Sequence, residues 1–216
     1  TVPIESKELP ERYVITISRL GMIKRSLVEE LPGVSASDFV LAKINADDEL
    51  FQVLISDGKQ DVLIATANGM CIRFSEDDVR PMGLVAAGVN AIKLKEGDYI
   101  VGAALLSEKD EVGLLTRLGS AKRVPSDDFP VQGRYGQGVI GWKLDKSDQI
   151  AALLVGKLTD KGISHFRKTA SKVFTITNAV GRKRSSNGQN MYSLKPGDEV
   201  IGFTTIHDYS EYWGEA

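Results

Sequence analysis

Positive charge recurs at set places along this chain. Lys24-Arg25, Arg73, Lys122-Arg123 and Lys172 each follow a short apolar segment. Arg80, Arg134 and Arg182-Lys183-Arg184 each follow an acidic or polar step. A third series, Lys43, Lys93 and Lys143, advances by 50 residues at a time. Guanidinium and ammonium groups held in register suit a phosphate backbone, because each neutralises one phosphate and releases counterions without reading a base. The same residues scattered along a solvated edge would do nothing specific. The formal net charge of the whole chain is -2, so acids must be segregated from these positions if the cations are to act together.

Other chemistry is sparse. No glycine-rich loop is followed by Lys-Ser/Thr, and neither CxxC nor HExxH occurs. His165 and His207 are far apart in sequence and read as ordinary packing or surface residues rather than metal ligands. Cys71, between Met70 and Ile72, reads as a small buried hydrophobe. The pairs Asp77-Asp78 and Asp127-Asp128 recur at one repeat position, which argues for accepting hydrogen bonds from loop N–H groups rather than for acid-base catalysis. No catalytic constellation, metal site or cofactor is expected. No apolar run approaches the roughly 18 residues of a membrane span, and no signal-peptide pattern opens the sequence. A single cysteine excludes an intramolecular disulfide and suits a reducing compartment. The expectation is a cytoplasmic protein with no membrane role.

What must position the basic residues is a repeat. Gly88, Gly138 and Gly188 keep a step of 50, as do Gly69 and Gly119 and Asp77 and Asp127, and Gly97 and Gly197 lie two such steps apart. GVNAIKL at Gly88–Leu94 returns as GVIGWKL at Gly138–Leu144, and KEGDYIVG at Lys95–Gly102 as KPGDEVIG at Lys195–Gly202. Such a period marks an array in which each unit buries its apolar face against its neighbours. Four repeats fit, at about 13–56, 61–108, 111–156 and 161–206, within a single domain over 12–207. The tails 1–11 and 208–216 lie outside the period.

Within a repeat the pattern is that of strands. YVITISRLGMIKR (Tyr13–Arg25) alternates β-branched residues around a turn glycine, and DVLIATANGMCIRF carries the hairpin pair Asn68-Gly69. An acidic step and a glycine-rich loop follow. A third strand is expected at Asn90–Leu94 and Ile140–Leu144, and a fourth at Tyr99–Leu106 and Gln149–Val155. Four strands in about fifty residues make one propeller blade. The fold expected is therefore all-β and propeller-like, with four four-stranded blades. Repeat four departs from the pattern at Lys168-Thr169 and Thr177-Asn178, as a terminal repeat should.

The blade pattern resembles the C-terminal repeat of the bacterial type II topoisomerase A subunits, those of DNA gyrase and topoisomerase IV. TRLGSAKRVPSDDF (Thr116–Phe129), RPMGLVAAGVNAIKLKEGD (Arg80–Asp98) and YVITISRLGMIKR carry the resemblance, which extends over about Ile4–Ile206. It implies a β-pinwheel, a disc whose blades exchange an outer strand and around whose basic perimeter duplex DNA bends. It implies also that ATP hydrolysis belongs to the B-type subunit, while cleavage chemistry lies in the A subunit's catalytic core. At the bacterial nucleoid its partners would be duplex DNA and, through the core, that ATPase subunit. Gyrase proper carries the signature Gln-Arg-Arg-Gly-Gly-Lys/Arg-Gly in its first blade. Here that loop is LPGVSASDF (Leu31–Phe39), without a basic residue, and the nearest match is QGRYGQG in the third repeat, with Gln132, Arg134, Gly136 and Gly138. Weak or non-chiral wrapping, nearer topoisomerase IV, is the expectation.

From these readings the candidate DNA contacts are Lys24, Arg25, Arg73, Arg80, Lys122, Arg123, Arg134, Lys172, Arg182, Lys183 and Arg184. The competing function is a propeller used as a protein-interaction scaffold, which an apolar face with scattered charge would favour over a continuous basic rim.

Overall fold

A computed structural model of the chain describes residues 11–32 and 38–206. The tail expectations for 1–10 and 208–216, and His207, lie outside these residues. Repeat one forms β1 (Tyr13–Ser18), β2 (Met22–Leu27) and β3 (Leu50–Ser56). Repeat two forms β4 (Asp61–Thr66), β5 (Met70–Ser75), β6 (Val89–Asn90) and β7 (Ile100–Leu106). Repeat three forms β8 (Glu111–Thr116), β9 (Ser120–Pro125), β10 (Val139–Ile140) and β11 (Ile150–Gly156). Repeat four forms β12 (Lys161–Phe166), β13 (Lys172–Thr175), β14 (Gln189–Asn190) and β15 (Val200–Ile206). A single helical turn ends the second strand of every repeat, at Val28–Glu30, Glu76–Asp78, Ser126–Asp128 and Ile176–Asn178.

The all-β, four-blade architecture is as the sequence predicts, and its blades exchange an outer strand as the family resemblance implies, which the repeat pattern alone did not assign. The sheets run β3-β1-β2-β6, β7-β4-β5-β10, β11-β8-β9-β14 and β15-β12-β13. The third strand of each of repeats two to four therefore completes the preceding blade, and among the described residues blade four has three strands. The expected third strands at Asn90–Leu94 and Ile140–Leu144 shrink to the pairs Val89–Asn90 and Val139–Ile140. Periodicity along the chain cannot reveal which sheet a strand joins, because the alternation is identical in either one.

Strand exchange places the core between blades. Ile15, Ile17 and Ile23 of blade one pack in one cluster with Val62, Ile64, Ile72 and Phe74 of blade two. Leu63, Ala65 and Cys71 of blade two join Val112, Leu114, Val124 and Trp142 of repeat three. Leu115, Ala152 and Leu154 then join Phe166, Phe174, Ile176 and Tyr192 of repeat four. No blade has a core of its own, which is the nearest-neighbour energetics of a repeat array. The fourth strands β3, β7, β11 and β15 lie side by side along an inner groove. The donated strands lie at the opposite, outer edge of each sheet.

Two local devices repeat with the period. The carboxylates of Asp48, Asp98, Asp148 and Asp198 accept from the backbone N–H of Leu20, Asn68, Leu118 and Lys168, tying the inner turn of every blade to its hairpin. In repeat four Thr169 supplies a second donor to Asp198, and this bond holds the carboxyl below its ordinary pKa. The second device is the glycine before each donated strand. Gly88 and Gly138 have φ of 92° and 73°, and a Cβ there would lie 2.5 Å from the Ile23 carbonyl oxygen or 2.4 Å from that of Cys71. Both backbone strain and a backbone clash oppose any side chain. Gly138→Ala is expected to loosen the junction of blades two and three and lower stability by about 2 kcal/mol or more. Thermal unfolding followed by circular dichroism measures it, and an unchanged midpoint would contradict this account of the junction.

Candidate nucleic-acid interface

The basic residues divide into two populations. Lys24, Arg25 and Lys122 are 2%, 4% and 0% exposed. The Lys24 ammonium donates to the Leu41 carbonyl at 2.6 Å and to that of Leu84 in repeat two. Lys122 donates to the carbonyls of Arg184 and Ser186 in repeat four, at 2.5 and 2.7 Å, with its charge 4.9 Å from the Trp142 ring centroid. Burial pushes the Lys122 ammonium down to about 8, an effect offset in part by Cys71 and reinforced by Arg184. Burial also lowers Lys24, while the buried Cys71 thiol is pushed up to about 12. As a small packed hydrophobe, Cys71 occupies the role its neighbours in sequence suggest.

The arginine of each pair is a staple to the next blade. Arg25 donates to Glu76 O at 2.9 Å and to the Asp77 carboxylate at 3.0 Å, with its guanidinium 3.8 Å from the Tyr13 ring centroid. Arg73 binds Asp61 at 2.8 Å and reaches the carbonyls of Ser126 and Phe129 at 3.1 and 3.3 Å. Arg123 pairs with Glu111 at 3.4 Å and donates to Ala179 O at 3.2 Å. The backbones follow suit: the carbonyls of Arg25, Arg73 and Arg123 accept from the N–H of Met82, Gln132 and Arg182. For Lys24, Arg25 and Lys122 the expectation of a solvent-facing phosphate contact is corrected. Apart from the Leu41 carbonyl held by Lys24, their charge is spent on carbonyls and carboxylates of the next repeat, inside the junction. Arg73 and Arg123 are only partly exposed and similarly engaged.

A sequence signal for this role exists. Asp61 and Glu111 open their first strands diagonally across from Arg73 and Arg123, whereas in repeat four Lys161 replaces the acid and Val173 the arginine. Repeats two to four keep or lose acid and arginine together, while in repeat one Tyr13 holds the acid's place and Arg25 turns to Glu76 and Asp77 of repeat two. That covariation inside one chain marks an internal pair rather than two ligand contacts.

The second population sits on the loops that approach the outer edge. Arg80, Arg182 and Lys183 are exposed, as are Lys43, Lys93 and Lys143. Arg134 and Arg184 occupy matched positions and are half-buried. Arg134 donates to Asp78 O at 3.2 Å and to Asn90 O, and Arg184 to Asp128 O at 3.1 Å and to Ile140 O. Each clamps its loop onto the preceding blade while leaving its charge at the rim. The Asp78 carboxylate accepts from the Arg134 backbone N–H at 3.3 Å, the loop-capping job its recurrence implies. Gln132, Arg134, Gly136 and Gly138 lie in this same loop. Tyr135, at φ 66°, projects from it half-exposed, and the loop crosses blade two rather than blade one.

Acids temper the rim unevenly. Asp77, Asp78, Asp127 and Asp128 are exposed beside the loops of blades two and three, but Thr177 and Asn178 stand there in repeat four. The loop across the outer edge of blade three sets Arg182, Lys183 and Arg184 against Asp127 and Asp128, whereas the loop across blade two sets Arg134 alone against Asp77 and Asp78, so the former is the more basic. Lys172 is exposed too, its ammonium 5.7 and 5.6 Å from the Phe166 and Tyr192 ring centroids. His165 is bracketed by Ser171 and Thr204, each at 2.9 Å. Among the described residues no cluster of His, Cys, Asp and Glu could hold a metal, and no helix is long and apolar enough to cross a membrane.

A strand-exchanging array of small antiparallel blades with basic loops along its outer edge defines a particular class of propeller. The model of the DNA gyrase C-terminal domain, beta-propeller family matches residues 12–57, 60–107, 110–157 and 172–207, and the chain belongs to that family. The DNA gyrase A protein of Staphylococcus epidermidis (strain ATCC 12228 / FDA PCI 1200) is 35% identical over 140 residues, covering 64% of this chain and 16% of that protein. Its counterpart in Staphylococcus aureus (strain MRSA252) is 32% identical over an equal span. The match thus takes in only a small part of either relative. Among solved structures, the C-terminal domain of a DNA topoisomerase IV superposes with a TM-score of 0.85 at 25% identity, covering 95% of this chain and 65% of that one. A DNA gyrase A C-terminal domain superposes with a TM-score of 0.80 at 18% identity, covering 94% and 68%, and speaks for the fold.

Proposed function

We propose that this domain holds duplex DNA by its backbone along the outer edge of the blade array, as a non-catalytic accessory within the A component of a type II topoisomerase. The observation that carries this reading is the exposed pair Arg182-Lys183 on the blade-three edge, where with Arg184 three basic residues outnumber Asp127 and Asp128, joined by the exposed Arg80 and by Lys43, Lys93 and Lys143 at matched repeat positions. Cations spaced along a curved edge favour a bent duplex, since a bend costing several kcal/mol needs contacts distributed over several blades. The A subunit's catalytic core would deliver and cleave the DNA, the ATPase subunit would act through that core, and the setting would be the bacterial nucleoid. Without a basic signature in Leu31–Phe39, bending without strong chirality is the expected outcome.

Equilibrium binding to a duplex of about 40 base pairs across a salt series tests this reading. Log affinity should fall linearly with log salt at a slope between about -3 and -5, as four or five released counterions require. No binding at low salt, or a slope near zero, would overturn it. The protein-scaffold alternative draws on Val53 and Ile55, exposed beside the inner groove, and predicts that flat response.

A further inference from the structure

The loops that cross the outer edges of blades one, two and three share one exposed tip position, 50 residues apart: Val85, Tyr135 and Ser185. Of the three, only Tyr135 has a positive φ, 66°. That region strains an aromatic residue and suits glycine or asparagine. The strain is held in place from the blade below. The Tyr135 N–H donates to the Ala91 carbonyl at 2.8 Å, and the Gly136 carbonyl accepts from the Lys93 N–H at 2.9 Å. Arg134 adds its bonds to Asp78 and Asn90. On blades one and three the loop tip instead closes on itself, from the Ala86 N–H to the Gly83 carbonyl and from the Ser186 N–H to the Lys183 carbonyl.

No interior partner accounts for the side chain held there. Its ring belongs to none of the three core clusters and is 50% exposed. The hydroxyls of Tyr13, Tyr99 and Tyr192 reach Glu11, Gln149 and Ser164, whereas that of Tyr135 has no partner among the described residues. A strained residue that the surrounding structure holds in place points to function.

The charge of the edge falls where Tyr135 stands. Blade three's loop carries three basic residues against two acids, but blade two's carries Arg134 alone against Asp77 and Asp78. A duplex following the edge gains no net phosphate attraction at blade two. A neutral group that donates one hydrogen bond can still hold a phosphate, and tyrosine is among the side chains that contact DNA backbones in this way.

We propose that Tyr135 is an uncharged anchor for the duplex backbone at blade two, its hydroxyl donating to a phosphate oxygen and its ring packing on the adjoining deoxyribose. The anchor rests on the proposed DNA track and fills the gap in it between Arg80, whose loop crosses blade one, and Arg182-Lys183 on blade three.

Titration of the duplex of about 40 base pairs across a salt series, with two variants beside the parent, tests the anchor. Tyr135→Asn keeps a residue at ease at this φ and removes the ring. Affinity should fall about tenfold, the scale of a hydrogen bond to a charged group. The salt slope should not change, because no counterion-releasing charge is lost. Tyr135→Phe loses the hydroxyl alone and should fall between the parent and Tyr135→Asn. The thermal midpoint of Tyr135→Asn should equal or exceed the parent's, which separates a DNA contact from a loop-shaping role. If the parent binds with its salt slope, three results each overturn the anchor while leaving the track standing: equal affinity for Tyr135→Asn, a flattened slope or lowered midpoint for that variant, or Tyr135→Phe indistinguishable from the parent. A parent that fails to bind at low salt removes both.

Discussion

Replacing Arg182 and Lys183 together with alanine should weaken binding to duplex DNA by about tenfold or more at moderate salt, and flatten the salt slope by about 2. Both side chains are exposed on the outer edge of blade three, and neither makes a hydrogen bond or ion pair among the described residues. Their removal therefore takes away charge without touching a junction. Loss should be uniform across DNA sequences, since backbone contacts carry no base information. Titration of labelled duplex at several salt concentrations reads both quantities. Arg184→Ala provides the contrast. Its guanidinium clamps the loop to Asp128 and Ile140 carbonyls, so it should lower stability as well as affinity. Equal slopes for the double variant and the parent would remove this loop from the DNA track.

Much of the architecture was legible because it rests on a strict period. The matched glycines mark loops and turns whose geometry forbids a side chain, and the alternation of Tyr13–Ser18 or Asp61–Thr66 announces strands. Exchange of the third strand was not legible from residue patterns. Val139 pairs with Cys71, 68 positions earlier, by backbone hydrogen bonds that leave no trace in residue type. The family resemblance supplied that feature where periodicity could not.

The basic residues were legible as a pattern and ambiguous as a function. Register showed that Lys24, Lys122 and Lys172 share one environment, and the structure shows that environment to be interior wherever a neighbouring repeat covers it. A lysine in register is thus compatible with a phosphate track and with a buried staple, and only burial separates them. The acids were the better guide. Asp61 and Glu111 pair with Arg73 and Arg123, while Arg182 and Lys183 form no ion pair among the described residues. Charge without a repeat-matched partner points outward.

Lys122 and Lys172 make this distinction measurable, because one repeat position appears in them once covered and once open. Lys122→Ala would orphan the carbonyls of Arg184 and Ser186 and leave a void beside Trp142. It is expected to cost about 3 kcal/mol from the two unmade bonds, and to lower the unfolding midpoint by about 6–12 °C for a domain of this size. Lys172→Ala removes an exposed side chain and should leave the midpoint unchanged. The pH response has a definite sign. With the folded Lys122 lowered to about 8 and an unfolded value near about 10.4, the folded state binds fewer protons between these values. Stability from this group therefore rises as pH climbs from about 8 to about 10 and is lowest below 8. The neutral amine keeps two N–H donors, one for each carbonyl, so deprotonation removes the burial penalty without surrendering the staple. Lys122→Met, similar in volume and unable to titrate, should lose this rise. Chemical denaturation of both proteins at pH 7 and pH 9.5 decides the matter: parallel changes would mean that Lys122 is not titrating within the junction.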